Sequence, residues 1–221
     1  MATQDDDPST ELGLDAAYAL ATPDDSRTLY AAWADTYDSG FIEANDYVYH
    51  RQIAAVFCRD FEGDTVLDVG CGTGVVGVEL CSLGVSVIDG IDISRAMLAK
   101  AAEKTQGARK VYRMLVEADL TQTIDIADNT YEGLVSAGTF THGHLGPDSL
   151  HELIRVASPG ARAAIGINAS HFEDHGFHAT LDAMVAAGTI EPYGLVDVPM
   201  YGHSDADDPN HMSRVAVFDV C

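Results

Sequence analysis

Positive charge is scarce in this chain of 221 residues. Lysine and arginine together number 12 against 35 aspartates and glutamates, which gives a formal net charge of −23 at pH 7. Binding to nucleic-acid phosphates depends on clustered lysine and arginine, so we expect no nucleic-acid partner. The acidic surface is typical of a well-solvated protein and would suit a salt-tolerant host. Attraction of a cationic substrate is a weaker alternative.

Long apolar runs and a leader-like N-terminus are also missing. No run of about 18 apolar residues exists, which predicts no membrane span. Residues 1–7 are acidic where a secretory signal would be basic and then apolar. Four cysteines are scattered without a short paired spacing: Cys58, Cys71, Cys81 and Cys221. Scattered thiols suit a reducing compartment better than a disulfide framework or a zinc site, so we predict a cytoplasmic protein without a metal.

The length suits one α/β domain with a single sizeable core. Residues 1–9 are polar and charged, and we expect a disordered tail there. We assign residues 10–221 to one domain, in which 10–60 form lid helices and 61–221 form the ligand-binding core.

Three helical patterns fill the lid region. The first covers about 11–20, and the second, capped by Asp24 or Asp25, ends near Gly40. The third covers about 45–61 and has one apolar face: Tyr49, Ile53, Val56 and Phe57.

Beyond the lid region, apolar runs and helical patterns alternate, which is typical of a parallel sheet with crossover helices. The predicted strands cover about 65–69, 86–91, 110–116, 133–138 and 162–168, and the predicted helices about 74–83, 94–104, 148–157 and 175–187. A long polar turn separates the last two apolar runs, about 190–200 and 212–220. We therefore expect a terminal antiparallel hairpin at the sheet edge.

The clearest ligand signal is the stretch Asp68-Val-Gly70-Cys-Gly72-Thr-Gly74, between an apolar strand and a helix. Glycine lets a ligand approach the main chain closely, and α/β proteins build nucleotide-type sites on such turns. The segment from Gly72 to Gly77 also matches the G-x-G-x-x-G dinucleotide pattern. A nicotinamide-dependent oxidoreductase is therefore one possible function.

Three features disfavour that oxidoreductase. About 60 residues precede the glycine strand, whereas a dinucleotide domain usually begins with it. One α/β unit leaves little chain for a separate catalytic domain. The terminal hairpin is also foreign to a doubly wound dinucleotide fold. The oxidoreductase remains open as the less favoured alternative.

Three motifs taken together resemble those of a known family. They are the glycine stretch above, Gly90-Ile-Asp92-Ile-Ser94 and Glu117-Ala-Asp119-Leu120. In this order they resemble the class I S-adenosylmethionine-dependent methyltransferases, over about residues 26–220. The resemblance implies a Rossmann-like, seven-stranded, mostly parallel sheet with N-terminal capping helices and a terminal hairpin.

A narrower resemblance rests on two shorter segments. Trp33-Ala-Asp-Thr-Tyr37-Asp38 and Thr141-His-Gly-His144 resemble the small methyltransferase-like proteins of the Williams–Beuren-region type.

The family resemblance implies S-adenosylmethionine as the cofactor and a role for each motif. Backbone N–H groups of the glycine turn (Gly70, Gly72 and Gly74) would face the methionine part, with the following helix N-terminus favouring its carboxylate. Asp68 would accept hydrogen bonds from the cofactor's ammonium or from the loop itself. Support of the loop without a ligand contact is the alternative for Asp68.

The other two motifs are assigned to the nucleoside part of the cofactor. Asp92 would accept both ribose hydroxyls, and Ile93 would pack on the adenine face. Asp119, with Ala118 and Leu120 beside it, would accept from the adenine amino group. A role as a helix or turn cap is the alternative for Asp119.

Candidates for chemistry follow the fourth strand, at the sheet edge where α/β ligands bind. His142 is the first choice for a base or substrate contact and His144 the second, because imidazole titrates near neutrality. A loop histidine that only caps the Asp148 helix or bonds a backbone carbonyl is the alternative. A metal on the two histidines lacks an identifiable third ligand.

Tyr30, Trp33 and Tyr37 recur at helical spacing in the second helix. They would form a lid that excludes water and places aromatic faces near the sulfonium, with core packing as the alternative. Tyr37, at the helix end, is the preferred contact near the reacting atoms. Topology assigns a further set to the rim of a substrate pocket: His171, Phe172, Met200 and Tyr201.

The combined expectation is methyl transfer from S-adenosylmethionine to a small-molecule acceptor by direct in-line displacement, in a monomer or homodimer. No Asn-Pro-Pro-Tyr or Asp-Pro-Pro-Tyr follows the fourth strand, which disfavours the usual amide and adenine-N6 methyltransferases. Alignment of nucleophile, methyl carbon and sulfur carries most of the catalysis, and a base is needed only where the nucleophile carries a proton. The alternative from another class is a non-catalytic S-adenosylmethionine-binding regulatory protein.

Overall fold

The computed structural model describes residues 16–17, 19–203, 208 and 211–221. The predicted tail over 1–9, and most of the helix predicted over 11–20, lie outside the described residues. The helices are α1 (Pro23–Trp33), the π-helix π1 (Tyr37–Glu43), α2 (Tyr49–Cys58), α3 (Val75–Ser82), α4 (Arg95–Ala101), a 3-10 turn (Pro147–Ser149), α5 (Leu150–Val156), α6 (Ala169–Asp174) and α7 (Phe177–Ala187). The strands are β1 (Thr65–Val69), β2 (Val87–Asp92), β3 (Thr105–Gln106), β4 (Arg109–Lys110), β5 (Tyr112–Glu117), β6 (Tyr131–Phe140), β7 (Ala157–Asn168), β8 (Gly194–Pro199) and β9 (Met212–Asp219).

Seven strands form the main sheet, in the order β5-β2-β1-β6-β7-β9-β8. The first five of these strands are mutually parallel. Strand β9 runs antiparallel to both of its neighbours. The structure therefore confirms the predicted Rossmann-like, mostly parallel sheet with a terminal antiparallel hairpin. The hairpin lies at the edge with its second strand, β9, inserted between β7 and β8.

Both faces of the sheet are covered, because alternate side chains of a strand point to opposite faces. Val66 belongs to the core that packs against α2, α3 and α4, and its neighbour Leu67 belongs to the core against α5 and α7. Helix α2 carries the predicted apolar face, since Tyr49, Ile53 and Phe57 are all buried. The parallel sheet thus has the two apolar surfaces that its near-continuous apolar strands require.

The N-terminal region differs from the predicted helices in two details. The N-cap of α1 is Thr22, whose hydroxyl accepts from the Asp25 N–H while Asp25 accepts from the Thr22 N–H, so the prediction of Asp24 or Asp25 as the cap was wrong. Helix α1 also ends at Trp33, and Tyr37 begins the separate π-helix. A cap hydroxyl paired with an acid three residues later is a capping box, which fixes the start of α1.

Strand β6 contains a β-bulge near its carboxyl end. Ser136 pairs with Ile165 and Phe140 with Ile167, so four steps along β6 match two steps along β7. The extra residues form a bulge around Gly138, whose φ of +80° suits glycine. This bulge turns the chain out of the sheet directly beside the end of β1 and so positions the site described below.

Two further features concern the described residues only. A small antiparallel ribbon of β3 and β4 lies outside the main sheet and was not predicted. None of the helices in the described part of the chain has the length and apolar character needed to cross a membrane.

Candidate active site

The turn after β1 owes its shape to three glycines with positive φ: Gly70 (+66°), Gly72 (+51°) and Gly74 (+91°). At Gly70 a Cβ would lie 1.9 Å from the Thr139 hydroxyl oxygen, so no other residue fits there. The Gly70 and Cys71 N–H groups donate to the Ile91 carbonyl at 2.8 and 3.0 Å. The turn is therefore held against the end of β2 before any ligand binds.

Asp92, the last residue of β2, supports the same turn. One carboxylate oxygen accepts from the Gly72 N–H at 2.9 Å, and the other accepts from the Ser94 N–H at 2.8 Å. Burial raises the pKa of the Asp92 carboxyl, and these backbone donors oppose that rise. Each oxygen retains a lone pair, so Asp92 can still accept from a ligand hydroxyl.

A cavity of about 250 Å³, called the loop cavity below, opens over this turn. Its walls come from α1, π1 and the carboxyl ends of β1, β2, β5 and β6. The predicted cofactor residues that line it are Tyr30, Gly70, Gly72, Asp92, Ile93, Ala118, Asp119 and Leu120. Three other predicted cofactor residues, Trp33, Asp68 and Gly74, are not among its described lining residues.

Asp119 has local partners besides its place in the loop cavity. One oxygen accepts from the Thr121 N–H and hydroxyl at 2.9 and 2.6 Å, which is an Asx turn. The other oxygen lies 3.6 Å from the Arg27 guanidinium of α1. The turn role and the cavity position that the sequence offered as alternatives therefore coexist at this residue.

A second, smaller pocket of about 50 Å³ adjoins the loop cavity and is called the aromatic pocket below. Four residues line both spaces: Tyr30, Tyr37, Gly138 and His144. The rest of its described lining is mostly aromatic, with a few small, polar and sulfur-containing residues: Ala17, Trp33, Phe41, Tyr47, Tyr49, Phe140, Thr141, Asn168, Met200 and Tyr201.

Comparison with known proteins finds a methyltransferase domain in the chain. A family model described as a methyltransferase domain matches residues 66–160. Human methyltransferase-like protein 27 is 28% identical over 203 residues, which cover 87% of this chain and 78% of that protein. Residues 66–160 therefore carry a methyltransferase domain, and the chain resembles the class I S-adenosylmethionine-dependent methyltransferases in sequence and fold. The human relative also loosely matches the narrower resemblance drawn from the two short segments.

Other relatives of this methyltransferase are more distant or match over less of their length. The ubiquinone/menaquinone biosynthesis C-methyltransferase UbiE of Geobacter sulfurreducens is 33% identical over 118 residues, or 52% of this chain and 46% of UbiE. The match thus spans about half of that relative. The solved magnesium protoporphyrin IX methyltransferase of Synechocystis PCC 6803, with bound SAM, has a TM-score of 0.63 at 18% identity, and the match covers 91% of this chain and 98% of that one. At that identity the likeness shows the fold alone.

S-adenosylmethionine is the cofactor of this methyltransferase family, and the loop cavity fits it. The Asp92 carboxylate lies at the end of β2 with acceptor capacity for ribose hydroxyls. Ile93 offers an apolar surface and Asp119 an acceptor, both on the cavity wall. These residues come from the three motifs that the sequence singled out.

Asp68 is buried beneath the turn. One oxygen accepts from the Tyr112 hydroxyl at 2.6 Å, and the other has no hydrogen-bond partner among the described residues. Burial raises the pKa of Asp68 to about 7, against the opposing effect of the Tyr112 hydrogen bond. Contact of Asp68 with the cofactor ammonium therefore remains a prediction, whereas its support of the structure under the turn is directly visible.

His144, rather than His142, lies at the junction of the two spaces in this methyltransferase. The His142 ring packs 5.4 Å from the His171 ring and 6.4 Å from that of His175, and His142 is not among the described lining residues. The preference for His142 over His144 was therefore wrong on position. Residue 143 is a glycine with φ of +75°, and this turn sends the two side chains in different directions.

The hydrogen bonds of His144 fix its tautomer. Nδ1 lies 2.8 Å from the His142 carbonyl, which only accepts, so Nδ1 carries the proton. Nε2 lies 2.8 Å from the Tyr30 hydroxyl and must accept from it. Burial lowers the pKa of the His144 imidazole, so the ring is neutral near pH 7.

The three aromatic residues of the predicted lid pack next to one another but differ in position. Tyr30 lines both spaces and stacks on Trp33 with ring centroids 6.1 Å apart. Trp33 is 4% exposed, lines only the aromatic pocket and also belongs to the core. Burial raises the pKa of Tyr37 well above its usual value, so Tyr37 remains a neutral phenol at the junction.

Two of the chain's three lysines pair with acids next to the three aromatic residues of the predicted lid. Asp38 of π1 accepts from the Thr73 hydroxyl of the glycine turn at 2.6 Å and from the Lys104 ammonium at 2.5 Å. Asp35, which follows α1, pairs with Lys100 at 2.7 Å. The glycine turn and the lid are thus joined through one carboxylate, a link that sequence patterns did not indicate.

Two of the four residues predicted for the rim of the substrate pocket line the aromatic pocket. Met200 and Tyr201 line the aromatic pocket, whereas His171 and Phe172 are buried in the core and do not line it among the described residues. Sequence analysis missed Asn168 as a pocket residue. Its position as the polar last residue of a parallel strand is the signal that could have identified it.

No group of three or more histidine, cysteine, aspartate or glutamate side chains in the described part of the chain is arranged to hold a metal ion.

Proposed function

We propose that this protein transfers a methyl group from S-adenosylmethionine to a small-molecule acceptor by in-line displacement. The proposal rests on the fact that the loop cavity and the aromatic pocket adjoin and share four lining residues: Tyr30, Tyr37, Gly138 and His144. A cofactor in the loop cavity and an acceptor in the aromatic pocket would meet at this junction. The aromatic pocket is small, which favours a small acceptor over a polymer.

The relatives' names favour the same class of acceptor. The Geobacter protein is named for ubiquinone and menaquinone biosynthesis, and the Synechocystis structure for magnesium protoporphyrin IX, both small molecules. The net charge of −23 opposes binding of nucleic acid. We therefore retain the prediction of a small-molecule acceptor without a nucleic-acid partner.

Bound S-adenosylmethionine supplies an electrophilic methyl group, and the protein's own residues hold and orient the reactants. Asp92 would hold the ribose, and Ile93 and Asp119 would hold the adenine. The N–H groups of Gly70, Cys71, Gly72 and Gly74 donate within the protein, so the glycine turn would support the methionine part by its close approach and not through these donors. The rigidity of these residues matters, because correct positioning supplies roughly 7–11 kcal/mol of such a barrier. Tyr37 and Trp33 exclude water from the reacting end.

A proton path begins at the aromatic pocket. A hydroxyl oxygen of the acceptor would take the methyl group as the methyl–sulfur bond of the cofactor breaks. Its proton would pass to the Tyr30 oxygen while Tyr30 donates its own proton to Nε2 of His144. The resulting imidazolium keeps its Nδ1–H bond to the His142 carbonyl. Tyr30 and His144 thus serve together as the base.

Titration with S-adenosylhomocysteine, followed by calorimetry, tests the cofactor part. We expect micromolar binding to the wild-type protein and a loss of about tenfold or more in Asp92→Ala, which removes the acceptor for ribose. Asp89→Asn is the matched control, because Asp89 is an equally buried acid of β2 that pairs with Arg113 outside the cavity. Tight NADH binding without S-adenosylhomocysteine binding would overturn the proposal.

Release of S-adenosylhomocysteine from S-adenosylmethionine, measured with a panel of small hydroxyl compounds, tests the catalytic part. Turnover with any of them that falls about 10²-fold or more in His144→Gln supports the proposed base. Binding of the cofactor without turnover on any acceptor class would favour the regulatory alternative.

A further inference from the structure

Two neighbouring strands end at the floor of the aromatic pocket. Phe140, the last residue of β6, pairs with Ile167 of β7. A polar residue follows each of them: Thr141, just past the end of β6, and Asn168, the last residue of β7. Both residues line the aromatic pocket. The carboxyl ends of adjacent parallel strands are where α/β proteins place ligand-binding side chains.

Both side chains are buried with an unsatisfied polar atom. Asn168 is 3% exposed and Thr141 is 7% exposed. The Asn168 amide nitrogen and the Thr141 hydroxyl oxygen have no hydrogen-bond partner in the described part of the chain. An unpaired buried donor costs roughly 1–3 kcal/mol, so a site with two such groups side by side is built for a polar partner.

The orientation of the Asn168 amide is set by its other role. Its carbonyl oxygen accepts from the His171 N–H at 3.1 Å and caps α6. The NH₂ group is therefore the end left unpaired, and it can only donate. The missing partner must be a hydrogen-bond acceptor, such as a carbonyl oxygen.

The remaining walls limit the rest of the ligand. Among the described lining residues of the aromatic pocket there is no lysine, arginine, aspartate or glutamate, so neither an anionic nor a cationic group finds a charged partner. Aromatic rings dominate, including those of Trp33, Phe41 and Tyr47. At about 50 Å³ the aromatic pocket is smaller than a benzene ring requires, so it has room for the carbonyl end of an acceptor and not for a ring.

We infer that the acceptor is a small, uncharged compound that places a carbonyl-type oxygen in the aromatic pocket, beside the hydroxyl to be methylated. The carbonyl oxygen accepts from the Asn168 amide, with the Thr141 hydroxyl as a second donor. The hydroxyl then faces Tyr30 and His144 at the junction with the loop cavity. This assignment rests on the proposed function, and it makes Asn168 and Thr141 specificity-determining residues of the same site.

A pair of matched probes tests the assignment. 2-Hydroxyacetophenone has the hydroxyl and the neighbouring carbonyl, and 2-ethylphenol lacks only the carbonyl oxygen. Binding of each to the protein saturated with S-adenosylhomocysteine is measured by calorimetry or saturation-transfer NMR. We expect the wild-type protein to bind 2-hydroxyacetophenone about tenfold more tightly than 2-ethylphenol.

Two variants locate that preference. Asn168→Asp keeps an acceptor for the His171 N–H and so keeps the cap, but it removes the donor, and the preference for the ketone should disappear. Thr141→Val removes the hydroxyl at similar volume and should reduce the preference, whereas the control Thr141→Ser should retain it. Unchanged affinity for S-adenosylhomocysteine in all variants shows that each is folded.

The outcomes separate the two proposals. Equal affinity of the wild-type protein for both probes, or an undiminished ketone preference in Asn168→Asp, overturns the acceptor assignment while leaving the methyltransferase function intact. Failure of the wild-type protein to bind S-adenosylhomocysteine overturns the proposed function itself.

Discussion

The charge of His144 should govern the pH dependence of methyl transfer. Burial lowers the pKa of the imidazole, so the neutral base persists below the usual value of about 6.5. We expect kcat/KM for a hydroxyl acceptor to fall on acidification only below that value. This fall in kcat/KM at acidic pH, the acidic limb of the pH profile, should be absent in His144→Gln. In Tyr30→Phe, which keeps the ring but interrupts the proton path, kcat should fall far more than cofactor affinity. A limb that survives in His144→Gln would assign the titration to another group.

Asp68 should make the cofactor-free protein less stable as the pH rises from about 4 to about 7. Burial raises its pKa to about 7 in the folded state, against about 3.9 in the unfolded chain. The folded state therefore binds the extra proton between these values, and the contribution of Asp68 to the free energy of unfolding declines as pH rises from about 4 to about 7.

Urea unfolding at several pH values measures this effect against Asp68→Asn, which has no titratable group. The free energy of unfolding of the wild-type protein should fall relative to that of Asp68→Asn as the pH rises from about 4 to about 8, because the wild-type protein then loses the benefit of its neutral carboxyl. A difference that stays constant over this range would show that Asp68 does not titrate in it.

Trp33, the single tryptophan, reports the position of helix α1 and the π-helix, which belong to the predicted lid. Asp38 holds this lid through Thr73 of the glycine turn and through Lys104. We expect Asp38→Ala to expose Trp33, with a red-shifted fluorescence emission and weaker S-adenosylhomocysteine binding. Asp35→Ala is the control, because Asp35 is 86% exposed and its ion pair with Lys100 contributes little. Equal shifts in both variants would contradict a special role for the Asp38 link.

Elements set by local sequence were predictable, and those set by distant contacts were not. Strand β1 and the glycine turn were predicted because an apolar run and alternate glycines determine them locally. The π-helix from Tyr37 was not, since its register depends on a packed aromatic cluster with Trp33 and Phe41. His142 and His144 were both identified as candidates, but only the turn at Gly143 decides which of them reaches the cavity.

The acceptor end of the site shows the same limit. Asn168 and Thr141 become neighbours only through the pairing of β6 with β7, which includes a bulge that no pattern in the sequence indicated. That their donors are unpaired can be recognised only from the hydrogen bonds of the folded chain. The cofactor end was easier, because its three motifs each end a strand of the same parallel sheet.

The net charge of −23 should make the whole molecule more stable in salt. Like charges repel in the compact state, and raising the salt from about 0.01 M to about 0.15 M shortens the screening length from about 30 Å to about 8 Å. Surface ion pairs weaken too, but each contributes little. We expect Tm to rise, by roughly 2–4 °C for each kcal/mol of repulsion removed.

Calorimetric scans in NaCl and KCl at equal ionic strength check this prediction. The two salts should give the same rise, because screening depends on ionic strength and not on the cation. A flat or falling Tm over this range would mean that the ion pairs, rather than the net repulsion, dominate the electrostatic stability.

The organisation of the molecule places two ligands on opposite sides of one junction, formed by Tyr30, Tyr37, Gly138 and His144. A crystal structure with bound S-adenosylhomocysteine tests this arrangement most directly. We expect the ribose hydroxyls on Asp92, the adenine beside Ile93 and Asp119, and the sulfur facing the aromatic pocket at the junction. A ligand bound outside the loop cavity, or with its sulfur turned away from the aromatic pocket, would contradict the account.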